Sequence, residues 1–204
     1  MMGKRQRLIE LRALADNDLD EVMEIEPVAF GNHHWSRQSF VNELDNRLGQ
    51  YYAAVDASTG QLVGYSGFWL IGDEAHITTL AVHPDCRRKR IGEVLLINNI
   101  LTARQAGAKW LTLEVRVSNE KAQNLYFKFG FKNLGIRRHY YQDNSEDALV
   151  LWTENILRPE FLGLLNERVD SVRRLIKVDW MAPLEFESPY SLAEELHIPE
   201  EKRA

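Results

Sequence analysis

The chain has 204 residues, 45% of them hydrophobic and 27% charged, and a formal net charge of -5. That balance describes a globular domain with a sizeable core, and the acidic surplus, with a pI near 5.7, argues against a general nucleic-acid binder. The one cysteine, Cys86, excludes an internal disulfide framework and a multi-cysteine zinc site and suits a reducing cytosol.

The start, "MMGKRQRLIELR", has no long apolar stretch after it, so no secretory leader is expected. No apolar run approaches the ~20 residues of a membrane span. "RLIELRALA" reads as a first strand. In "DNDLDEVMEIEPVAF", Asp16 and Asn17 are good caps, Leu19, Val22, Met23 and Glu26 follow at helical spacing, and Pro27 is expected to disturb the end. "HHWSRQSFVNELDN" gives a second short helix capped by Ser36.

Strands come next. "QYYAAVD", "QLVGYSGFWLIG" and "AHITTLAVHP" are separated by tight-turn signals and predict an antiparallel meander. "IGEVLLINNILTARQAG" reads as a long helix stopped by Gly107. "KWLTLEVRV" is an apolar strand. "SNEKAQNLYFKFG" is a helix with Ala122, Leu125, Tyr126 and Phe129 on one face. "FKNLGIRRHYY" and "EDALVLWTEN" read as two further strands. "RPEFLGLLNERVDSVRRLIKV" is an amphipathic helix with Phe161, Leu165, Val169, Val172 and Ile176 on one side, followed by an acidic, Pro-interrupted end. The expected fold is mixed α/β, with a sheet that is antiparallel early and has a parallel pair around the long helix. The expected division is a domain over 1–156 and a helical extension over 157–204.

One loop stands out. "RRKRIG", residues 87 to 92, joins a strand ending at Val82 to a helix opening near Gly92. The first N–H groups of a helix lack intrahelical partners and attract anions, basic side chains add charge, and glycine allows close approach. By themselves the residues leave three readings open: a solvated helix start, an RNA-phosphate patch, or a cradle for one small polyanion.

"LAVHPDCRRKRIGEVLL", "LEVRVSNEKAQNLYFKFGF" and "RRHYY", in that order, resemble the GNAT acyltransferase superfamily, and within it the bacterial RimI-type N-α-acetyltransferases of ribosomal proteins. The resemblance spans about residues 8 to 154. It implies the GNAT fold, a central mixed, mostly antiparallel sheet flanked by helices, and acetyl-CoA as co-substrate. The family's loop, Gln/Arg-x-x-Gly-x-Gly/Ala, is matched at Arg87 and Gly92 and departs at Arg90, where glycine is usual. A positive φ there would strain an arginine; otherwise a pyrophosphate contact passes to its guanidinium.

On this resemblance, Arg87, Arg88, Lys89, Arg90, Ile91 and Gly92 would hold the diphosphate. Leu80, Ala81 and Val82 would line the acyl arm, with the Val82 N–H near the thioester oxygen, and Asn119 would help hold the arm. Glu114 matches the family's general base and Tyr126 its general acid. Read without the resemblance, Glu114 is a strand carboxylate paired with Arg116 or Lys109, Tyr126 a core aromatic, and Asn119 a helix cap. In the "NHHWS" stretch, Trp35 and Ser36 match the family and His34 replaces proline. Trp35 would wall the substrate's first residue or anchor the helix. Glu26 would attract a peptide's positive end or stay solvated. Tyr140 and Tyr141 would close over the peptide or pack. The histidines lack metal-ligand spacing, so no metal is expected, and Cys86 has no paired base.

An α-amine (pKa about 7.7–8.0) is roughly 10% neutral at pH 7 and a lysine below ~0.1%, so an α-amine needs only modest help from a base. The resemblance therefore implies a cytoplasmic N-α-acetyltransferase acting on a protein N-terminus, such as alanine of a small-subunit ribosomal protein, by direct transfer in a ternary complex. Lysine, a polyamine or another small amine is the alternative acceptor. A non-catalytic binder of RNA or of a partner is the alternative class. Neither membrane nor direct nucleic-acid contact is expected from the first reading.

Overall fold

A computed structural model describes residues 7–182 and 184. Eight strands form one sheet in the order β6-β7-β5-β4-β3-β2-β1-β8. β1 is Leu8–Ala13, β2 Gly49–Asp56, β3 Leu62–Ile71, β4 Glu74–Val82, β5 Trp110–Arg116, β6 Lys132–Tyr141, β7 Glu146–Trp152 and β8 Lys177–Asp179. The helices are α1 (Leu19–Phe30), α2 (Arg37–Leu44), α3 (Ile91–Gln105), α4 (Glu120–Lys128) and α5 (Pro159–Arg173). The pairs β4–β5 and β1–β8 are parallel, and the rest are antiparallel. This is the mixed sheet flanked by helices that the sequence predicts.

Strand periodicity sorts the core to two faces. Ile9, Leu11, Val63, Phe68 and Ile77 pack with Leu95, Leu96 and Ile100 of α3. Tyr51, Ala53, Val55 and Tyr65 pack with Leu19, Val22 and Ile25 of α1 and Phe40 of α2. Alternate residues of a strand point to opposite faces, so one meander serves both layers.

Two local expectations need correction. Pro27 does not end α1, which runs on to Phe30. A proline there removes one helical hydrogen bond, yet Ile25 and Glu26 beside it are buried and hold the turn in place. Asp16 and Asn17 do not cap α1 either. They belong to a 3-10 turn, Asp16–Asp18, and Asp18 precedes the helix. Its carboxylate takes Arg12 through both oxygens at 2.6 Å and the Ala15 N–H at 2.9 Å.

The sequence sets residues 157–204 apart. In the structure, Phe161, Leu165, Val169, Val172 and Ile176 all enter the α3-side core. β8 then pairs with β1, Leu8 opposite Lys177 and Glu10 opposite Asp179. A three-residue strand has no readable period, so the sequence gives no sign of it. Most of the acidic end lies outside the described residues. No helix of the described residues is long and apolar enough to cross a membrane.

Candidate active site

The site begins where β4 and β5 part. They pair at Glu74–Trp110, Ala75–Leu111 and His76–Thr112 only. Just beyond, the β3–β4 register shifts at Gly67/Phe68, leaving Thr78 unpaired. Such a bulge bends its strand, and β4 turns away from β5 there. Gly67 is required at the bulge, because an added Cβ would stand 2.1 Å from the Tyr51 ring.

The splay exposes backbone. His83 N–H donates to the Val63 carbonyl at 2.9 Å, and Val82 stands opposite Gly64. Bonding alternates along an antiparallel pair, so the N–H and C=O of Val82 point away from β3, toward the gap. The Val82 carbonyl accepts from Arg87 Nε at 3.3 Å. Its N–H is left facing the cleft.

A cavity of about 670 Å³ occupies the gap between β4 and α4 and reaches the start of α3. Leu80, Ala81, Val82, Arg87, Arg88, Arg90, Ile91, Gly92 and Asn119 all line it. Lys89 does not, because its ammonium turns back to the Asp85 carbonyl at 2.7 Å. Asn119 also caps α4, accepting from the Ala122 N–H at 3.1 Å.

The departure at Arg90 resolves toward strain. Arg88 and Arg90 have φ of 63° and 65°, with Lys89 between them outside the positive region. Left-handed backbone costs an L-residue about 1–2 kcal/mol. Alternating conformations of this kind turn successive N–H groups to one side and make an anion cradle. The Arg90 guanidinium is held by Glu93 Oε1 at 2.7 Å, where Lys128 Nζ also lies at 2.7 Å. At Gly92 a Cβ would stand 3.4 Å from Leu125 and 3.7 Å from Val82, at ordinary contact distance, so a small side chain would occupy part of the cleft without a clash. An N–H cradle, arginine side chains and an open apolar slot fit a diphosphate followed by a long thin arm.

A second cavity of about 340 Å³ shares Phe30 with the first. Glu26, Trp35, Glu114, Tyr140 and Tyr141 line it. Sequence reasoning missed His33, Trp69, His76, Thr78, Thr79 and Arg137, which also line it. The alternation of β4 marks His76 and Thr78 as one face, but not which face meets the cleft.

Glu26 is 1% exposed, which excludes the solvated reading. It accepts from the Tyr65 hydroxyl at 2.6 Å and the Trp35 N–H at 3.1 Å. Burial pushes its carboxyl upward, partly offset by those two donors. The same bonds tie the "NHHWS" loop to α1 and set Trp35 against Phe40 and Tyr51, with centroids 5.2 and 6.3 Å apart.

Glu114 does not pair with Arg116 or Lys109. Its Oε1 lies 3.1 Å from Arg137 Nη2, while Lys109 pairs with Asp73. Tyr126 lines neither cavity. It is 7% exposed, with Phe131 at 5.6 Å, one helical turn after Ala122 of the first cavity wall. Burial, then Tyr141, holds its phenol above the usual range. Burial likewise pushes Tyr141 up to about 12, against the pull of Arg116.

Arg116 fastens the β6–β7 turn to the end of β5. It reaches Asp143 at 2.9 and 3.0 Å, Asn144 at 3.0 Å and Glu146 at 3.1 Å, and lies 3.8 Å over the Tyr141 ring. Hydrogen bonding from Ser118, then from Asn144 and Arg116, lowers the Glu146 carboxyl from 4.5 to about 2. A carboxyl depressed on folding stabilises fully above its unfolded value, and the benefit fades as pH falls through the folded one. Glu146→Gln is therefore expected to unfold at a lower temperature than wild type at pH 7. The gap should narrow below about pH 4.5 and close near pH 2. Thermal unfolding of both proteins across this range checks it, and a gap independent of pH would contradict the assignment.

Comparison with known proteins agrees with this geometry. A profile described as the acetyltransferase (GNAT) family matches residues 17–131. A Bacillus subtilis protein with a provisional [ribosomal protein bS18]-alanine N-acetyltransferase name is 41% identical over 142 residues, 70% of this chain and 93% of that one. The Escherichia coli [ribosomal protein bS18]-alanine N-acetyltransferase is 32% identical over 69% of this chain and 94% of its own. The crystal structure of the Escherichia coli ribosomal-protein-S18-alanine N-acetyltransferase superposes with a TM-score of 0.64 at 30% identity, covering 71% of this chain and 92% of that one. With the split sheet, the basic cradle and these relatives together, the chain belongs to the GNAT family and is an acetyl-CoA-dependent N-acetyltransferase.

Proposed function

We propose that this enzyme acetylates the α-amine of a protein N-terminus, with an N-terminal alanine of a small-subunit ribosomal protein as the favoured acceptor. The observation that carries this reading is the second cavity. It meets the cofactor cleft at Phe30, holds two carboxylates, Glu26 and Glu114, and is walled by Trp35, Tyr140 and Tyr141. Two relatives named for bS18 alanine support the acceptor class. The net negative charge favours encounter with basic proteins, and the setting is cytoplasmic.

Acetyl-CoA supplies an activated acyl carbon on a thiol leaving group. The cradle of Arg88 to Gly92 binds the diphosphate and orients the arm along Leu80 to Val82. The Val82 N–H, facing the gap, stabilises negative charge on the acyl oxygen. Glu114 takes the proton from the acceptor amine, directly or through water. Tyr126, kept protonated by its burial, is the proton donor to the departing sulfur on this reading; it lies one helical turn behind the Ala122 wall, so the donation requires its hydroxyl to reach the bound arm. Glu26 holds the Trp35 loop and adds negative charge beside a cationic amine.

Three acceptors offered in parallel test the reading. A lysine-free peptide with a free N-terminal alanine is expected to gain one acetyl by mass spectrometry. The same peptide with a blocked N-terminus and one lysine, and a polyamine, are expected to gain none. Modification of either of these without the first would overturn the acceptor class.

A further inference from the structure

Glu114 is not free in this structure. Arg137 of the edge strand β6 reaches it with Nη2 at 3.1 Å from Oε1. Both line the acceptor cavity, where Arg137 is the one lysine or arginine among the described residues. The other charges nearby are already committed: Glu26 to Tyr65 and Trp35, Arg116 to Asp143 and Glu146. Arg137 also lies 5.6 Å from the Tyr140 ring, a contact it can keep if it leaves Glu114.

The two partners differ in exposure. The Arg137 side chain is 58% exposed and that of Glu114 only 24%. The guanidinium therefore covers part of the carboxylate on its more exposed side, and a half-exposed ion pair of this kind is held weakly. An entering ammonium carries the same charge and can replace it without leaving the carboxylate unpaired. Water cannot make that exchange.

The distinction matters for a base poised beside a thioester. An unpaired Glu114 could also act as general base toward water, a much weaker acid than an ammonium but present at far higher concentration. The water oxygen would then bond to the acyl carbon, the C–S bond would break, and acetate and coenzyme A thiol would leave. Active sites commonly exclude such leakage.

We propose that Arg137 is an exchangeable counter-ion that keeps Glu114 from activating water until an acceptor ammonium takes its place. This rests on Glu114 being the base. Arg137 is a positioning residue here, acting through Glu114, and it makes the site selective for cationic amines over neutral nucleophiles.

The test is acetyl-CoA hydrolysis without acceptor, followed as free thiol. Arg137→Gln is expected to release coenzyme A about five- to tenfold faster than wild type, a fraction of what a full general base contributes. Arg137→Lys should stay near wild type. The double variant Arg137→Gln/Glu114→Gln should return to the wild-type rate. Unchanged acetyl-CoA affinity in Arg137→Gln serves as the folding control. Hydrolysis at the wild-type rate in Arg137→Gln overturns the inference, as does fast hydrolysis that persists in the double variant. The underlying reading fails separately: Glu114→Gln alone would then acetylate peptide at the wild-type rate.

Discussion

Glu114→Gln is expected to lower kcat toward an α-amine peptide by about 10²-fold at pH 7, the lower end of what a positioned base contributes. The low end applies because roughly a tenth of such an amine is already neutral at that pH. The deficit should shrink by about tenfold between pH 7 and pH 9, as the amine loses its proton unaided. Acetyl-CoA affinity should not change, because Glu114 lines the acceptor cavity and not the cofactor cleft. Tyr126→Phe keeps the ring packed against Phe131 and removes only the hydroxyl. On the proposed mechanism it lowers kcat by about 10²-fold, the lower end for a positioned acid. Steady-state kinetics across pH, with calorimetric cofactor binding, read both effects. Wild-type turnover in either variant would remove that residue from the mechanism.

Leu165→Ala is expected to destabilise the enzyme by about 2–5 kcal/mol. Leu165 is 1% exposed and lies mid-way along α5, in the core shared with α3 and β5. Removing it subtracts buried apolar area and leaves a cavity that neighbours on three elements cannot all fill. The loss is a large share of the ~5–15 kcal/mol typical of a folded protein. It corresponds to a fall in Tm of about 5–20 °C for a chain of this size. Leu175→Ala is the control, since that side chain is 52% exposed and its loss should move Tm little. A Tm for Leu165→Ala within a degree of wild type would mean that α5 is a dispensable appendage.

Long periodic segments were the legible part of the sequence. α3, α4 and α5 declare themselves through apolar spacing, and β2, β3 and β4 through β-rich runs between turn residues, because those patterns are set locally. Residues whose placement depends on distant partners were not legible. Pro27 looks like a disturbance near the helix end, yet tertiary packing of Ile25 and Glu26 carries the helix past it to Phe30. β8 is three residues long and exists only because β1 offers an open edge. The basic loop was marked by its charge run, but nothing in "RRKR" tells that Lys89 turns back while Arg87, Arg88 and Arg90 line the cleft. The acceptor cavity was half visible. Glu114 stood out as a charge in an apolar strand, and Trp35 and Tyr140 as aromatics. Arg137 carried no signal of its own, and it takes the pairing of β7 with both β5 and β6 to bring it over Glu114.

The pairing of β1 with β8 also dictates an order of events during synthesis. Ile9 faces Val178 across the sheet edge, so the earliest strand of the described residues waits for the latest of them. Until that segment has left the ribosomal tunnel, β1 keeps a bare edge and the α3 layer lacks the α5 face that covers it. Contacts so far apart along the chain form late and slowly. A nascent chain stalled before residue 157 would therefore present an incomplete sheet and exposed apolar surface, the state that chaperones recognise.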